Sequence, residues 1–214
     1  MDLDGTLYPE RTEKRVSAAL ARRLYDYASG IGIQEDDLLK LVGRYVREWR
    51  ITPSIDIMCG KYSLDREEVA RYVFDADPKL FGIREDRKLR LLLLKVSASN
   101  MITLFTNSPW IWADRAIGAM GLSDVFGRRN TICYETLDHG ASTKPSERSF
   151  EILMKRTTTD RSRLLLLDDD LWNVRVAKLM GINTLRIFDK KAGRKTKRRD
   201  IHSALEKLSK SGPV

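Results

Sequence analysis

The sequence predicts an α/β protein, a parallel sheet with helices on both faces, interrupted near its start by a helical insertion. Three observations predict it. From residue 101 onward, short apolar runs alternate with amphipathic stretches, the pattern of strand–helix–strand units. Polar residues recur where those apolar runs end, which is where open α/β sheets bind ligands. Residues 9–100, by contrast, carry helical spacing and no convincing strand.

The chain opens Met1-Asp2-Leu3-Asp4-Gly5-Thr6-Leu7-Tyr8. In an extended segment Asp2 and Asp4 point the same way, because strand side chains repeat every two residues. Gly5 lets the backbone turn tightly and approach a ligand. Two convergent carboxylates suit a hard cation such as Mg²⁺. They also suit a division of labour between nucleophile and general acid/base. Taken alone, the motif fits an acidic surface turn equally well.

Helical spacing follows in Val16, Ala19, Leu20, Leu24 and Tyr27, and again in Leu38, Leu39, Val42, Tyr45, Val46 and Trp49. Thr52-Pro53-Ser54 predicts a break. Ser63 is the expected cap of a helix carrying Val69, Tyr72 and Val73. Asp77-Pro78 marks a turn, and residues 84–99 form a helix with Leu89, Leu92, Leu93 and Val96 inward. Strands are expected at 101–105, 131–134, 164–167 and 184–188. The helices between them cover 110–120, the stretch around Phe150, Ile152, Leu153 and Met154, and the stretch from Val174 to Leu179 with Gly181 as its cap. A last amphipathic helix carries Ile201, Leu205 and Leu208. The expected domains are an α/β core of residues 1–10 and 96–214 and a helical cap of residues 11–95, placed as a lid.

Bulk properties restrict the function. At 214 residues, 42% hydrophobic and 32% charged, this is an ordinary globular composition. Cys59 and Cys133 give neither a disulfide framework nor metal-ligand spacing, so a reducing, cytoplasmic setting is the default. No run approaches the roughly 20 apolar residues of a membrane span, and the acidic start is no signal peptide. Net charge is +9, but residues 190–199 hold seven Lys/Arg and no acid, leaving about +2 elsewhere. That run reads as a solvated loop, with a nucleic-acid contact or a nuclear address as the alternatives. His139 and His202 are isolated, and Trp110, Trp112 and Trp172 read as packing residues. Arg11, Arg15, Tyr45 and Trp49 are candidates to reach a substrate, with nothing to choose among them.

Four signals stand in order: Asp2-x-Asp4-Gly5-Thr6, Thr106-Asn107, Lys144-Pro145 and Asp168-Asp169. Each alone is weak. Together, at strand ends, they resemble the haloacid dehalogenase superfamily. The run Asp2-Leu3-Asp4-Gly5-Thr6-Leu7-Tyr8-Pro9 resembles its pyrimidine 5'-nucleotidase-like branch. So do Asp77-Pro78-Lys79-Leu80, Lys144-Pro145-Ser146-Glu147-Arg148-Ser149-Phe150 and Asp168-Asp169-Asp170-Leu171-Trp172-Asn173-Val174. Glu147 departs from the family by standing where a second proline is common.

The resemblance implies a Rossmann-like core and a Mg²⁺-dependent phosphomonoesterase. Asp2 is the implied nucleophile, and Asp4 the implied acid and base. Asp2, the Asp4 carbonyl, Asp168 and Asp169 are the implied metal ligands. Thr106, Asn107 and Lys144 are the implied phosphate-binding residues, with Asn173 supporting the acidic loop. The implied substrate is a small phosphorylated metabolite, foremost a nucleoside 5'-monophosphate, with a sugar phosphate as the alternative. A non-catalytic binding protein on the same fold is the third reading. A monomer or homodimer is expected.

One departure matters. In the family an apolar strand precedes the first aspartate, and here only Met1 does. The first core strand is thus missing or truncated, and a charged α-amino group is expected beside the nucleophile. The expectation is a start codon set too far downstream, and a chain less stable and less active than one carrying an upstream apolar strand.

Overall fold

A computed structural model describes residues 1–47, 51–138, 142–157, 160–188 and 200–211. The basic run at 190–199 and His139 lie outside the described residues. The chain forms two compact units, Met1–Glu10 with Ile83–Val214, and Arg11–Gly82.

The second unit is helical. It holds α1 (Glu10–Gly30), α2 (Glu35–Arg47), α3 (Ile51–Tyr62) and α4 (Arg66–Phe74). The apolar spacing read from the sequence buries Val16, Leu20 and Leu24 on α1. Pro53 does not break the chain as expected. It falls in the first turn of α3, where a backbone N–H has no partner within the helix to lose. Asp65, not Ser63, caps α4: its carboxylate accepts from the Glu67 and Glu68 amides at 2.8 and 3.2 Å. The Arg23 Nε donates at 3.0 Å to the carbonyls of Tyr72 and Val73, the orphan acceptors at the end of α4.

The first unit carries the sheet. Its elements are α5 (Arg87–Ser97), β1 (Leu104–Phe105), α6 (Trp110–Ala119), β2 (Thr131–Ile132), α7 (Glu147–Thr157), β3 (Leu165–Asp168), α8 (Leu171–Leu179), β4 (Asn183–Arg186) and α9 (Ile201–Ser211). The sequence reading ended the insertion at residue 95, whereas the chain rejoins the first unit at Ile83. The cause is α5, which packs on α9. Lys88 pairs with Glu206 at 2.7 Å, and the His202 Nε2 meets the Asp86 Oδ2 at 2.8 Å. Helical spacing shows that a face is buried, not which neighbour buries it.

β1 pairs parallel with β2, and β3 parallel with β4. Phe105, Ile132, Phe150, Leu153, Leu166 and Ile182 form the core between sheet and helices. Phe105 and Phe150 meet edge to face at 5.6 Å, an arrangement worth about 0.5–1.5 kcal/mol beyond area burial.

Beyond the shared core, backbone hydrogen bonds of the first two residues bridge the two strand pairs. The Met1 amine donates to the Thr103 carbonyl at 2.7 Å, and the Phe105 amide donates to the Met1 carbonyl at 2.7 Å. That pattern pairs Met1 in parallel with Leu104. On the other side the Asp2 amide donates to the Leu167 carbonyl at 2.8 Å. Met1 and Asp2 therefore stand where the first core strand is expected, between the two pairs. Behind them lies a pocket of about 210 Å³ lined by Met1, Ile102, Thr103, Leu164, Leu165 and Leu166. Alternation along β1 and β3 turns the backbones of Thr103 and Leu165 toward this slot.

The expected charge beside Asp2 is corrected. Burial, aided by the charge of Lys144, lowers the Met1 amine to about 5, so it is neutral at pH 7. Adding about five alternating Val and Ile residues before Met1 is expected to fill the slot and pair its edges. The melting temperature should rise by at least about 2–4 °C, the shift per kcal/mol for a chain of this size. An unchanged transition in calorimetry would mean the slot is not a strand seat.

Candidate active site

The opening segment is extended only through Asp2. The Leu7 amide donates to the Leu3 carbonyl at 2.9 Å, and Gly5 turns the chain at φ 77°. The expectation that Asp2 and Asp4 point the same way therefore fails, because strand alternation ends before Asp4. The two carboxylates enter different surroundings.

Asp2 faces a buried cation. The Lys144 ammonium donates to the Asp2 Oδ1 at 2.7 Å and to the Asp168 Oδ2 at 2.8 Å, with all three side chains withdrawn from solvent. Lys144 is placed by Asn107, whose side chain grips both backbone groups of the lysine. The Lys144 amide donates to the Asn107 Oδ1, and the Asn107 Nδ2 donates to the Lys144 carbonyl, each at 2.9 Å. Asp168, at the end of β3, also accepts from the Asn173 Nδ2 at 3.0 and 3.1 Å. This is the bond back to the acidic loop expected of Asn173. Asp170 serves as the N-cap of α8, accepting from the Trp172 and Asn173 amides.

Asp169 sits above Gly5. It accepts from the Thr6 hydroxyl at 3.0 Å, and its carbonyl accepts from the Arg186 Nε at 2.8 Å. A Cβ on Gly5 would lie 2.3 Å from the Asp169 Oδ2, so only glycine fits both the turn and the carboxylate.

Oxygens of Asp2, Asp168 and Asp169 lie within 4.8 Å of one another. Burial pushes Asp2 well above the usual carboxylate range against the pull of Lys144, with Asp168 adding repulsion. Burial and the Asp168 charge push Asp169 up to about 7. Burial works against the Lys144 charge too, but Asp168 and Asp2 outweigh it and hold the ammonium above its ordinary value. Three carboxylates thus face one cation. Hard oxygen donors short of positive charge fit a divalent metal ion such as Mg²⁺. The Asp4 carboxylate is not in this cluster; the sequence reading assigned Asp4 to a metal through its backbone carbonyl.

Asp4 is held by neutral donors. Its Oδ1 accepts from the Tyr8 hydroxyl and from the Trp112 indole N–H at 3.3 Å. Its Oδ2 accepts from Ser108 at 2.8 Å and from Thr106 at 3.2 Å. Thr106 is wholly buried at the end of β1. Of the residues expected at the site, Asp2, Lys144, Asp168 and Asp169 form one cluster and Thr106 joins Asp4. Asn107 braces Lys144 through its side chain. Sequence reasoning missed Tyr8, Ser108, Trp112 and Arg186. Their one available signal was position: Ser108 follows Thr106-Asn107, and Tyr8 lies one turn past Asp4.

A family model for haloacid dehalogenase-like hydrolases matches residues 1–181. The chain belongs to that family. Its fold is shared with a candidate beta-phosphoglucomutase from Thermotoga maritima, with a TM-score of 0.59 over 98% of this chain and 97% of that one. The two are 18% identical, so the likeness is one of fold. Hydrolases of this family generally use a divalent metal, and the acidic cluster supplies hard ligands for one.

Two outcomes follow from this geometry. Gly5→Ala should cost about 1–2 kcal/mol for the left-handed backbone and displace Asp169. Calorimetry should show the lower melting temperature, and titration with Mg²⁺ a weakened heat of binding. The second outcome concerns pH. Below about 7 a divalent cation must displace the Asp169 proton. Affinity for Mg²⁺ should fall on acidification below about pH 7 by up to about tenfold per pH unit for that proton. Calorimetric titration at several pH values checks this, and a pH-independent affinity would contradict it.

Proposed function

We propose that the protein is a Mg²⁺-dependent phosphomonoesterase that works through an aspartyl-phosphate. The observation that carries this reading is the split between its two opening carboxylates. Asp2 is paired with Lys144 beside Asp168 and Asp169, whereas Asp4 sits apart among neutral donors.

Asp2 attacks phosphorus through a carboxylate oxygen as the bond to the leaving oxygen breaks. Asp4 gives that oxygen its proton, so the alcohol departs neutral. Asp4, now a carboxylate, takes a proton from water. The water oxygen attacks phosphorus, the bond to Asp2 breaks, and inorganic phosphate leaves. Lys144 and the Asn107 backbone N–H bind the phosphoryl oxygens as charge shifts onto them, and Thr106 joins them by turning its hydroxyl from Asp4 to the phosphoryl group. Asp2, the Asp4 carbonyl, Asp168 and Asp169 would hold Mg²⁺, which supplies charge stabilisation at the transferring group.

The substrate proposed is a small phosphorylated metabolite in the cytoplasm, foremost a nucleoside 5'-monophosphate. This rests on the resemblance of the opening and Asp168–Val174 motifs to the nucleotidase-like branch. The fold shared with a candidate beta-phosphoglucomutase favours a sugar phosphate as the second reading.

Phosphate release from p-nitrophenyl phosphate tests the activity. Chelation should abolish it, and Asp2→Asn should lower kcat by at least about 10³-fold. Retained turnover in Asp2→Asn would remove Asp2 as nucleophile, and no turnover in wild type with Mg²⁺ would favour the non-catalytic reading. A panel of nucleoside monophosphates and sugar phosphates then separates the two substrate classes by kcat/KM.

A further inference from the structure

The four donors to Asp4 are directed, not merely close. The Trp112 indole is wholly buried, and it is a donor only. Besides Asp4 it meets the Tyr8 oxygen at 3.2 Å. The Tyr8 oxygen thus accepts from the indole, and its own O–H is turned onto Asp4. Tyr8 is 4% exposed, so packing fixes the ring. The other oxygen is treated likewise. The Ser108 amide donates to the Thr106 Oγ1 at 3.0 Å, which leaves the threonine proton for Asp4, and the Ser108 hydroxyl adds a second donor at 2.8 Å. The nearby cation is committed elsewhere, since Lys144 binds Asp2 and Asp168. A flexible carboxylate two residues from Asp2 would otherwise be drawn to the same ammonium.

We propose that Tyr8, Trp112 and Ser108 are positioning residues that keep Asp4 apart from the Lys144 cluster and aimed as the proton donor to the leaving group. The proposal rests on the acid–base role given to Asp4 above. It assigns a task to a buried tryptophan that pattern alone reads as packing, and to the tyrosine of the opening motif. Loss of one donor leaves Asp4 present but misaimed, so the damage is confined to substrates whose leaving oxygen needs a proton.

The experiment compares two esters by kcat/KM, which reports steps up to departure of the leaving group. The first is p-nitrophenyl phosphate, whose phenolate leaves without help. The second is the best alkyl monophosphate from the panel of nucleotides and sugar phosphates, whose alkoxide needs a general acid. Tyr8→Phe keeps the ring and removes only the hydroxyl donor, whereas Trp112→Phe removes the indole N–H together with part of a buried side chain, so its fold is checked by calorimetry beside the kinetics. Each is expected to lower the alkyl-to-aryl ratio of kcat/KM by about tenfold or more, within the roughly 10²–10⁴-fold range of general acid catalysis. Asp4→Asn should lower the ratio further. Equal losses on both esters, or no loss, from Tyr8→Phe and Trp112→Phe while Asp4→Asn remains selective would overturn the positioning role alone. An Asp4→Asn variant that spares the alkyl ester would overturn the acid–base reading beneath it, and the proposal with it.

Discussion

The site depends on one buried ammonium. Lys144 stands between Asp2 at the start of the chain and Asp168 at the end of β3, and touches both. Two buried carboxylates this close repel one another, and burial alone raises their proton affinity. The lysine lets both remain in place. Removing one partner from such a buried group typically costs about 3–5 kcal/mol, because the remaining charge loses its counterion. The lysine itself sits on a loop, and Asn107 from the end of β1 clamps its backbone. Three strand ends are thus tied together through a single residue.

The second carboxylate shows the complementary solution. Asp4 has no cation in hydrogen-bonding contact among the described residues and is held by hydroxyls and an indole. Neutral donors fix a carboxylate's direction without supplying a full charge. Two identical side chains, two residues apart, are made chemically different by the elements that surround them. The device that separates them is the turn at Gly5, which sends Asp4 toward α6 while Asp2 continues the sheet.

Much of this was legible in the sequence. The order of strand ends followed from short apolar runs that stop at polar residues, and Thr106, Asp168 and Asp169 stood at such points, while Lys144 was marked by its proline. Pairing within the acidic loop was legible through Asn173, one helical turn beyond Asp168. The surroundings of Asp4 were not, because Trp112 lies 104 residues from Tyr8 and local periodicity carries no information about such partners. The membership of α5 was hidden for the same reason. The neutrality of the Met1 amine was hidden because it depends on burial, which no motif encodes. Strand lengths were overestimated at 101–105, where only Leu104 and Phe105 form a ladder.

The bridging place of Met1 and Asp2 has a consequence for assembly. Its partners lie far along the chain: Thr103 is 102 residues away, Lys144 is 142 from Asp2, and Asp169 is 163 from Thr6. Each strand pair and its helices draw on neighbours much closer in sequence, so they pay a smaller loop-closure entropy and form early. Asp2 therefore finds its lysine only through one of the longest loop closures in the fold. Until the acidic loop has been synthesised and folded, Asp2 has neither its lysine nor its companion carboxylates. By the contact-order argument the carboxylate cluster is the most costly part of this fold to close, because each of its partners is brought from more than a hundred residues away.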